Sequence, residues 1–148
     1  MKELLDFFNS QKILVFSTYD DKIWITNVYF SSNDDCEFFF ISENKSKHSK
    51  DLMNNSNVAF SVSWFDENNL SNRKGIQGEG VCTEILEDTK LDEAVKLYGD
   101  KFNNQDLNSS YFKSKEHNYR MYVIKPKKIK FWNDESYGEE GIKIFNFK

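Results

Sequence analysis

The sequence is poor in the residues that define several protein classes: it has 1 proline, 2 cysteines and 2 histidines among 148 residues. Cys36 and Cys82 lie far apart and form no CxxC pair, which excludes a disulfide scaffold. We expect both side chains to be buried, reduced and apolar in character. His48 and His117 have no partner at metal-ligand spacing, so no metal site is expected.

Long apolar runs are also missing from the sequence. No segment approaches the roughly 20 apolar residues that span a bilayer. The N-terminal MKELLDFFNSQK is amphipathic and lacks the apolar core of a signal peptide, so we interpret it as part of the fold. No P-loop, dinucleotide fingerprint or Ser-His-Asp order is present. The expected location is the cytoplasm, with no membrane partner.

Acidic side chains outnumber basic ones, which gives a net charge of −4. Nonspecific nucleic-acid binding relies on a positive field, so no nucleic-acid partner is expected. The basic stretch from Lys125 to Lys130 keeps one minority alternative open, a small barrel that binds single strands through exposed aromatics. The length suits a single domain over residues 1–148, and 16% aromatic residues indicate a well-filled core or an aromatic-lined site.

Strand-like runs separated by polar turns dominate the chain, and they outnumber the helical segments. Three segments have helical periodicity: Lys2–Ser10, a stretch from Ser46 to about Asn54, and Asp88–Phe102, for which Asp88 or Thr89 is available as a cap. The strand-like segments are 13–19, 23–31, 36–42, 58–64, 75–85, 119–131 and 142–147. This order predicts a mainly β (α+β) domain whose antiparallel sheet curls into a barrel.

Two sequence features predict irregularities of this sheet, and a third predicts a turn before its last strand. Pro126 interrupts a strand-like segment, which suits an edge or a bulge because proline removes a ladder donor. Gly75, Gly78 and Gly80 share one strand, where glycine marks barrel geometry or room for a ligand. A turn is expected at Glu139-Glu140-Gly141.

The segment from Ile23 to Leu52 is the strongest candidate for a binding site. Two aromatic strands are followed by Ser46-Lys47-His48 where a helix should begin. A helix N-terminus with free N–H groups and adjacent cations favours a bound phosphate. An ordinary helix with a serine cap and solvated charges is the alternative interpretation. We expect Trp24 to be in the core, whereas the amides of Asn27 and Gln77 need polar partners.

The ordered set of motifs resembles the pyridoxamine 5'-phosphate oxidase-like FMN-binding split-barrel family, in particular a small uncharacterised bacterial branch. The motifs that carry the resemblance are Trp24 to Asn27, Ser46 to His48, Gly75 to Gly80, and Lys130 to Asp134. The resemblance implies a six-stranded antiparallel split β-barrel with flanking helices. It also implies a homodimer with FMN in clefts at the subunit interface.

The resemblance further implies cofactor-binding residues: Ser42, Ser46, Lys47 and His48 for the phosphate, Ile25, Thr26, Asn27 and Val28 beside the flavin ring, and Gln77 near it. The chain departs from the family pattern at two of these positions. His48 replaces a second strong cation, which weakens the charge complement and makes it sensitive to pH. Asn27 stands where many members have proline.

Function is predicted at the level of the cofactor rather than of the reaction. The first hypothesis is an FMN-dependent oxidoreductase of unknown small-molecule substrate. The residues with which the family's oxidase binds its own substrate have no counterpart in this chain. A non-catalytic flavin or haem binding or sensor module is the second hypothesis. No catalytic residue is assigned; Tyr29, His48 and Tyr137 are candidates for proton transfer.

Overall fold

The computed structural model describes residues 1–139 and 141–148. Four α-helices flank the sheet: α1 Lys2–Ser10, α2 Lys47–Asn54, α3 Asp88–Lys101 and α4 Asp134–Tyr137. Eight strands form the sheet: β1 Ile13–Tyr19, β2 Ile23–Tyr29, β3 Ser31–Ser32, β4 Phe38–Glu43, β5 Asn57–Ser63, β6 Lys74–Glu84, β7 Tyr119–Asn133 and β8 Ile142–Asn146. A turn of 3₁₀ helix covers Tyr111–Lys113. The predicted turn at residues 139–141 includes Glu140, which lies outside the described residues.

All strand pairs are antiparallel, in the order β2-β1-β5-β6-β7-β4-β3, with β8 pairing to β7. The predicted mainly β barrel class is therefore confirmed. The implied count of six strands is too low, because the two-residue β3 and the C-terminal β8 add to it. Helix α4 was not predicted; it is a single turn capped by the Asn133 side chain, which accepts from Ser136 N at 3.1 Å.

Phenylalanine fills the inside of the curled sheet. Phe16, Phe38 and Phe40 are at most 1% exposed, and Phe38 packs edge-on against Phe8 of α1 at a centroid distance of 4.8 Å. A second cluster lies on the outer side of β4 and β7, where α3 and the segment around Phe112 cover it. The alternating burial of β1 follows directly from its sequence, since successive side chains point to opposite faces.

The two ends of the sheet are joined through a single residue, Phe30, which is fully buried. Strand β2 ends at Tyr29 and β3 begins at Ser31, yet these strands occupy opposite ends of the hydrogen-bonded order. One residue spans only about 3.5 Å of extended chain. The sheet must therefore curl until its ends meet.

Beyond this junction the barrel is split. Strand β3 pairs with β4 through Ser31–Phe39 and Ser32–Phe38. If that antiparallel register continued into β2, Tyr29 would lie opposite Ile41, but no ladder joins β2 to β4. The two facing edges therefore leave a gap between Thr26–Tyr29 and Ile41–Glu43.

Three local expectations need correction. Helix α3 is capped by Glu87, not by Asp88 or Thr89, because the Glu87 carboxylate accepts from the N–H groups of Thr89 and Lys90 at 3.1 Å each. The strand expected from Cys36 begins at Phe38, because Cys36 has a φ of 63° in the preceding turn.

The third correction concerns β2, an edge strand of the hydrogen-bonded sheet. Trp24 is 48% exposed rather than part of the core, and Asn27 is exposed rather than a buried amide. The physical reason is that β2 pairs on one side only, with β1, which leaves its other edge open.

The glycine-bearing strand and Pro126 produce one bulge in the barrel. The β6–β7 register shifts between Glu79 and Gly80, where Gly80 pairs with Pro126. Proline thus occupies a bulge within a central strand. A Cβ on Gly80 would lie 2.3 Å from the Lys125 carbonyl oxygen, and one on Gly78 would lie 2.4 Å from the Phe60 ring. Close packing inside the barrel therefore accounts for both glycines.

Cys36 and Cys82 are buried free cysteines, as predicted. Burial raises the pKa of the Cys36 thiol to about 11. Across residues 1–139 and 141–148, no helix has the length and apolar character needed to cross a membrane.

Gly80→Ala should destabilise the fold by about 1 to 3 kcal/mol, because the added methyl group overpacks the bulge against backbone atoms that cannot rotate away. Urea denaturation monitored by circular dichroism measures the change. Glu79→Ala is the matched control, since Glu79 is exposed on the same strand. A stability for Gly80→Ala equal to that of the control would contradict the tight packing of this bulge.

Candidate functional site

A cavity of about 580 Å³ occupies the split between β2 and β4. Its walls come from both facing strands, from His48 in the first turn of α2, and from Tyr98 of α3 and Tyr119 of β7. The volume lies within the range of small-molecule sites, about 300 to 1,000 Å³. The cavity is therefore a direct product of the strand separation.

One end of the cavity contains closely spaced hydrogen-bonding side chains. His48 Nε2 lies 2.5 Å from Ser42 Oγ and 3.1 Å from Ser46 Oγ. The Ser46 hydroxyl donates to the Glu43 carbonyl at 2.8 Å and caps α2 by accepting from Ser49 N. The Ser46 hydroxyl also lies 2.8 Å from Ser49 Oγ, so Ser42, Ser46, His48 and Ser49 form one connected hydrogen-bonding cluster.

His48 is 8% exposed, and its burial lowers the pKa of the imidazole despite an opposing attraction from Asp51. The free protein therefore holds a neutral imidazole here near pH 7. This end of the cavity offers uncharged donors: the Ser42 hydroxyl, the imidazole and the N–H groups that begin α2. Such a set can bind a phosphate ester by hydrogen bonds and gains charge complementarity only when His48 takes up a proton.

Lys47 does not line the cavity; its ammonium group donates a short hydrogen bond to Asp51, one helical turn along α2. Asp51 is 2% exposed and also accepts from Thr18 Oγ1 at 2.8 Å. The hydrogen bond from Lys47, together with that from Thr18, lowers the pKa of Asp51 in spite of its burial. The pair therefore fixes α2 against β1 and uses the positive charge of Lys47 to compensate a buried carboxylate.

Aromatic rings form the opposite end of the cavity. Tyr29 and Tyr98 line it, and each also contacts the ring of Phe102, at centroid distances of 5.7 and 4.6 Å. Burial and the proximity of Tyr29 raise the pKa of Tyr98, so its hydroxyl stays protonated. Flat apolar walls of this kind suit an aromatic ligand.

Thr26, on the β2 wall, has a buried Oγ1 without a hydrogen-bond partner. Buried hydroxyls are normally paired, so this one is available to a polar ligand atom if β2 adjusts slightly. This orphaned group lies on the strand predicted to contact the ring of a cofactor.

The structure brings together five of the nine predicted cofactor residues: the cavity is lined by Thr26, Asn27, Val28, Ser42 and His48. Ser46 lies directly behind His48 as its hydrogen-bond partner. Ile25 is 69% exposed and points to the outer face of the sheet. Of the candidates for proton transfer, Tyr29 and His48 line the cavity, while Tyr137 packs against Phe131 elsewhere.

Gln77 does not line this cavity within one protomer. The register Asn27–Val15–Ser61–Gln77 places it in the same cross-strand row as Asn27, but three strand spacings away. That separation is roughly 14 Å at a spacing of about 4.8 Å per strand. Gln77 instead lines a second cavity, of about 480 Å³, with Arg73, Lys130 and Trp132.

Five cavity residues were missed by the sequence reasoning: Ile13, Ile41, Glu43, Tyr98 and Tyr119. Tyr98 was assigned to the apolar stripe of α3, and nothing in that stripe distinguishes a cavity wall from core. Ile41 and Glu43 had a usable signal, since they immediately precede the predicted phosphate turn. Within the described residues no group of three or more His, Cys, Asp or Glu side chains is arranged to hold a metal ion.

A family model for pyridoxamine 5'-phosphate oxidase matches residues 1–133. No curated protein matches the chain significantly. Among solved structures, the conserved hypothetical protein Rv2991 from Mycobacterium tuberculosis is 17% identical, with a TM-score of 0.74 over 93% of this chain and 86% of that one. HutZ, described as the heme storage protein from Vibrio cholerae, is 18% identical, with a TM-score of 0.65 over 84% and 88%.

General Stress Protein 26 from Bacillus anthracis strain Sterne is 20% identical, with a TM-score of 0.65 over 99% of this chain and 97% of that one. At these identities the likenesses establish the fold alone. They agree with the split barrel derived from the strand register.

Lys47→Ala should lower stability by about 1 to 3 kcal/mol at neutral pH, because it leaves the buried Asp51 carboxylate with only Thr18 as a partner. The Asp51 pKa is lowered in the folded state, so the stabilisation is present above the unfolded value of about 3.9. The deficit should therefore persist at neutral pH and shrink in acid, as the pH falls through the folded pKa.

Chemical denaturation across the pH range measures this deficit. Lys50→Ala is the matched control, because Lys50 is exposed on the same helix. A variant as stable as this control at neutral pH would show that the Lys47–Asp51 pair contributes nothing to the fold.

Proposed function

This chain belongs to the pyridoxamine 5'-phosphate oxidase family, and from that premise we propose that it is an FMN-binding oxidoreductase that holds its cofactor between β2 and β4. The observation that carries the proposal is the cavity in the barrel split. The cavity contains a cluster of neutral hydrogen-bond donors that can bind a phosphate. It also contains an aromatic-walled space along an unpaired strand edge.

The residues present fit FMN at both ends of the molecule. At the phosphate end, Ser42, His48 and the N–H groups that begin α2 would hold the ester, with Ser46 orienting the imidazole. At the ring end, residues 26–28 and the orphaned Thr26 hydroxyl would face the polar edge of the flavin. An unpaired strand edge adds backbone donors and acceptors of the kind that a flavin edge requires.

When bound, FMN supplies the hydride and electron transfer of a flavin-dependent reaction. The chain's own contribution is to bind the phosphate, position the ring against β2 and exclude water with aromatic walls. Tyr29 and His48 are the titratable candidates in the cavity that could hold or move a proton near a substrate. Tyr137 is not retained as a candidate, because it packs against Phe131 and does not line the cavity.

We further propose that the functional unit is a homodimer paired through the outer face of the β1–β2 hairpin. Four large apolar side chains of this face are 53 to 76% exposed: Ile13, Ile23, Ile25 and Tyr29. A contiguous patch of this kind marks an interaction surface. A two-fold axis across this face would make the interface from the same patch of both subunits.

Haem binding is the second candidate function, and the neighbour described as a heme storage protein favours it. The histidines of this chain argue against an axial ligand. His48 Nε2 is engaged by Ser42 and Ser46, and His117 uses Nδ1 to accept from Tyr119 N, with its Nε2 buried. The absorbance spectrum of freshly purified protein separates a flavin band from a Soret band.

His48→Ala should weaken FMN binding about tenfold or more, because a hydrogen bond to a charged group contributes about 1.5 to 3 kcal/mol. Riboflavin, which lacks the phosphate, should lose little affinity for the same variant. Quenching of flavin fluorescence on titration with protein measures both constants. Equal losses for FMN and riboflavin would place the phosphate elsewhere, and failure of the wild-type protein to bind FMN at high micromolar concentration would reject the proposal.

The same titration has a predicted pH dependence. Burial keeps free His48 neutral, whereas a bound phosphate dianion favours the imidazolium, so binding takes up a proton. FMN affinity should therefore rise as the pH falls from about 8 towards the second phosphate pKa near 6. The His48→Ala variant is expected to lack this dependence, and a parallel pH dependence in the variant would assign it to another group.

Ile25→Asp should convert the dimer to a monomer, because it places a carboxylate in the centre of the apolar hairpin face. Light scattering coupled to size-exclusion chromatography measures the mass. Leu70→Asp is the matched control, since Leu70 is 74% exposed on the β5–β6 loop. A wild-type monomer, or a dimer that survives Ile25→Asp, would contradict this interface.

A further inference from the structure

A third cavity, of about 400 Å³, adjoins the proposed FMN cavity and is lined by neither Ser42 nor His48. The two share Ile41 of β4 and Tyr119 of β7 as lining residues, so they are adjacent, and we treat them together as the joined cavities. The outer wall of the added space comes from the segment between α3 and β7, chiefly Leu107 and Tyr111.

This wall is fixed to the barrel by side chains that do not line either cavity. Phe112 is 4% exposed within the cluster under α3. Arg120 donates to the carbonyl oxygens of Ser114 and His117 at 3.0 and 3.1 Å. Lys113 forms an ion pair with Asp88 at the start of α3, at 2.6 Å. The space beside the FMN cavity is therefore preformed.

Four of the seven residues that line this space are aromatic or aliphatic, and the other three are Asn104, Asp106 and Asn108. Tyr111 stacks on His117 with ring centroids 4.1 Å apart and planes inclined by 25°, and Tyr119 lies 5.9 Å from the same imidazole. Leu107 and Ile41 supply the aliphatic surface. A planar hydrophobic ring can pack against these side chains.

The charges of the joined cavities have one sign. Apart from the largely neutral His48, the charged side chains that line them are Glu43 and Asp106, and no lysine or arginine among the described residues does so. A bound FMN phosphate would add further negative charge nearby. An anion entering this space would therefore meet repulsion without a compensating cation.

We propose that the space lined by Leu107, Tyr111 and Tyr119 is the substrate subsite, and that it selects flat aromatic substrates that carry no negative charge. The proposal rests on the FMN site argued above and specifies its substrate class. It separates this chain from oxidation of a phosphorylated substrate, since the subsite offers the Asp106 carboxylate, and no lysine or arginine among the described residues, where such a phosphate would need cations.

The test compares 2-naphthol with 2-naphthoate, which share a ring system but differ in charge at neutral pH. Equilibrium dialysis measures the affinity of both probes for FMN-saturated and for flavin-free protein. We expect 2-naphthol to bind about tenfold more tightly than 2-naphthoate to the FMN-saturated protein. Equal affinities, or preference for the anion, would overturn the proposal.

Asp106→Lys should raise 2-naphthoate affinity severalfold without changing 2-naphthol affinity, because it places a cation at the exposed rim of the subsite. Asp21→Lys is the matched control: it makes the same change of charge at an exposed turn that lines neither cavity. An equal gain in both variants would attribute the effect to net charge and overturn the proposal.

Tyr111→Ala should weaken 2-naphthol binding severalfold, and an unchanged affinity would place the ring elsewhere. The measurement on flavin-free protein distinguishes failure of the subsite proposal from failure of the proposed function. Should FMN fail to bind, the FMN proposal fails, and the preference between the two probes in flavin-free protein still decides whether the preformed space rejects anions.

Discussion

The structure depends on one covalent constraint, the single residue that separates β2 from β3. Phe30 links strands at opposite ends of the hydrogen-bonded order, so the sheet has to curl, and the buried phenylalanines fill the space that curling creates. The same constraint produces the site. The facing edges of β2 and β4 meet beside Phe30 and separate beyond it, and the cavity lies where their ladder would have continued.

The distribution of charge around the cavity has a second organising role. Lys47 is committed to Asp51, and Arg120, which pairs across strands with Ser42, donates to backbone carbonyls of the segment that follows α3. Both cations hold the scaffold in place, which leaves hydroxyls, N–H groups and a neutral imidazole to face a ligand. The proposed phosphate would therefore be held at this end by hydrogen-bond geometry, with His48 as the group whose charge responds to pH.

The sequence predicted the parts of the molecule that local rules control. The Ser46 cap of α2, the strand periodicity around Val58 and the bulge at Pro126 each follow from one residue's geometry or from alternation. The exposure of Trp24 and Asn27 could not be read in this way, because it depends on β2 having a single partner strand. Glu87 replaced the expected cap because its longer side chain reaches two N–H groups.

The residues of the candidate site fall into the same two groups, those that local sequence patterns predict and those that depend on the tertiary fold. Ser42, His48 and residues 26–28 were found because the phosphate-turn pattern and the aromatic strand are local in sequence. Tyr98 and Tyr119 were missed because only the curled sheet brings α3 and β7 to the mouth of the split. The commitment of Lys47 to Asp51 also has a local spacing, four residues on one helix, but its importance comes from the burial of Asp51 against β1.

The wall between α3 and β7 has a consequence for how this architecture can diversify. Barrel closure resides in Phe30 and the phenylalanine interior, whereas the proposed substrate-facing surface resides in a separately anchored segment, residues 102–118, long enough to act as a functional loop. Shape and charge preference can thus be rewritten in that segment while the hydrogen-bonded frame remains unchanged. On the proposed assignment the chain has two parts, a hydrogen-bonded frame that closes the barrel and a loop segment that sets selectivity.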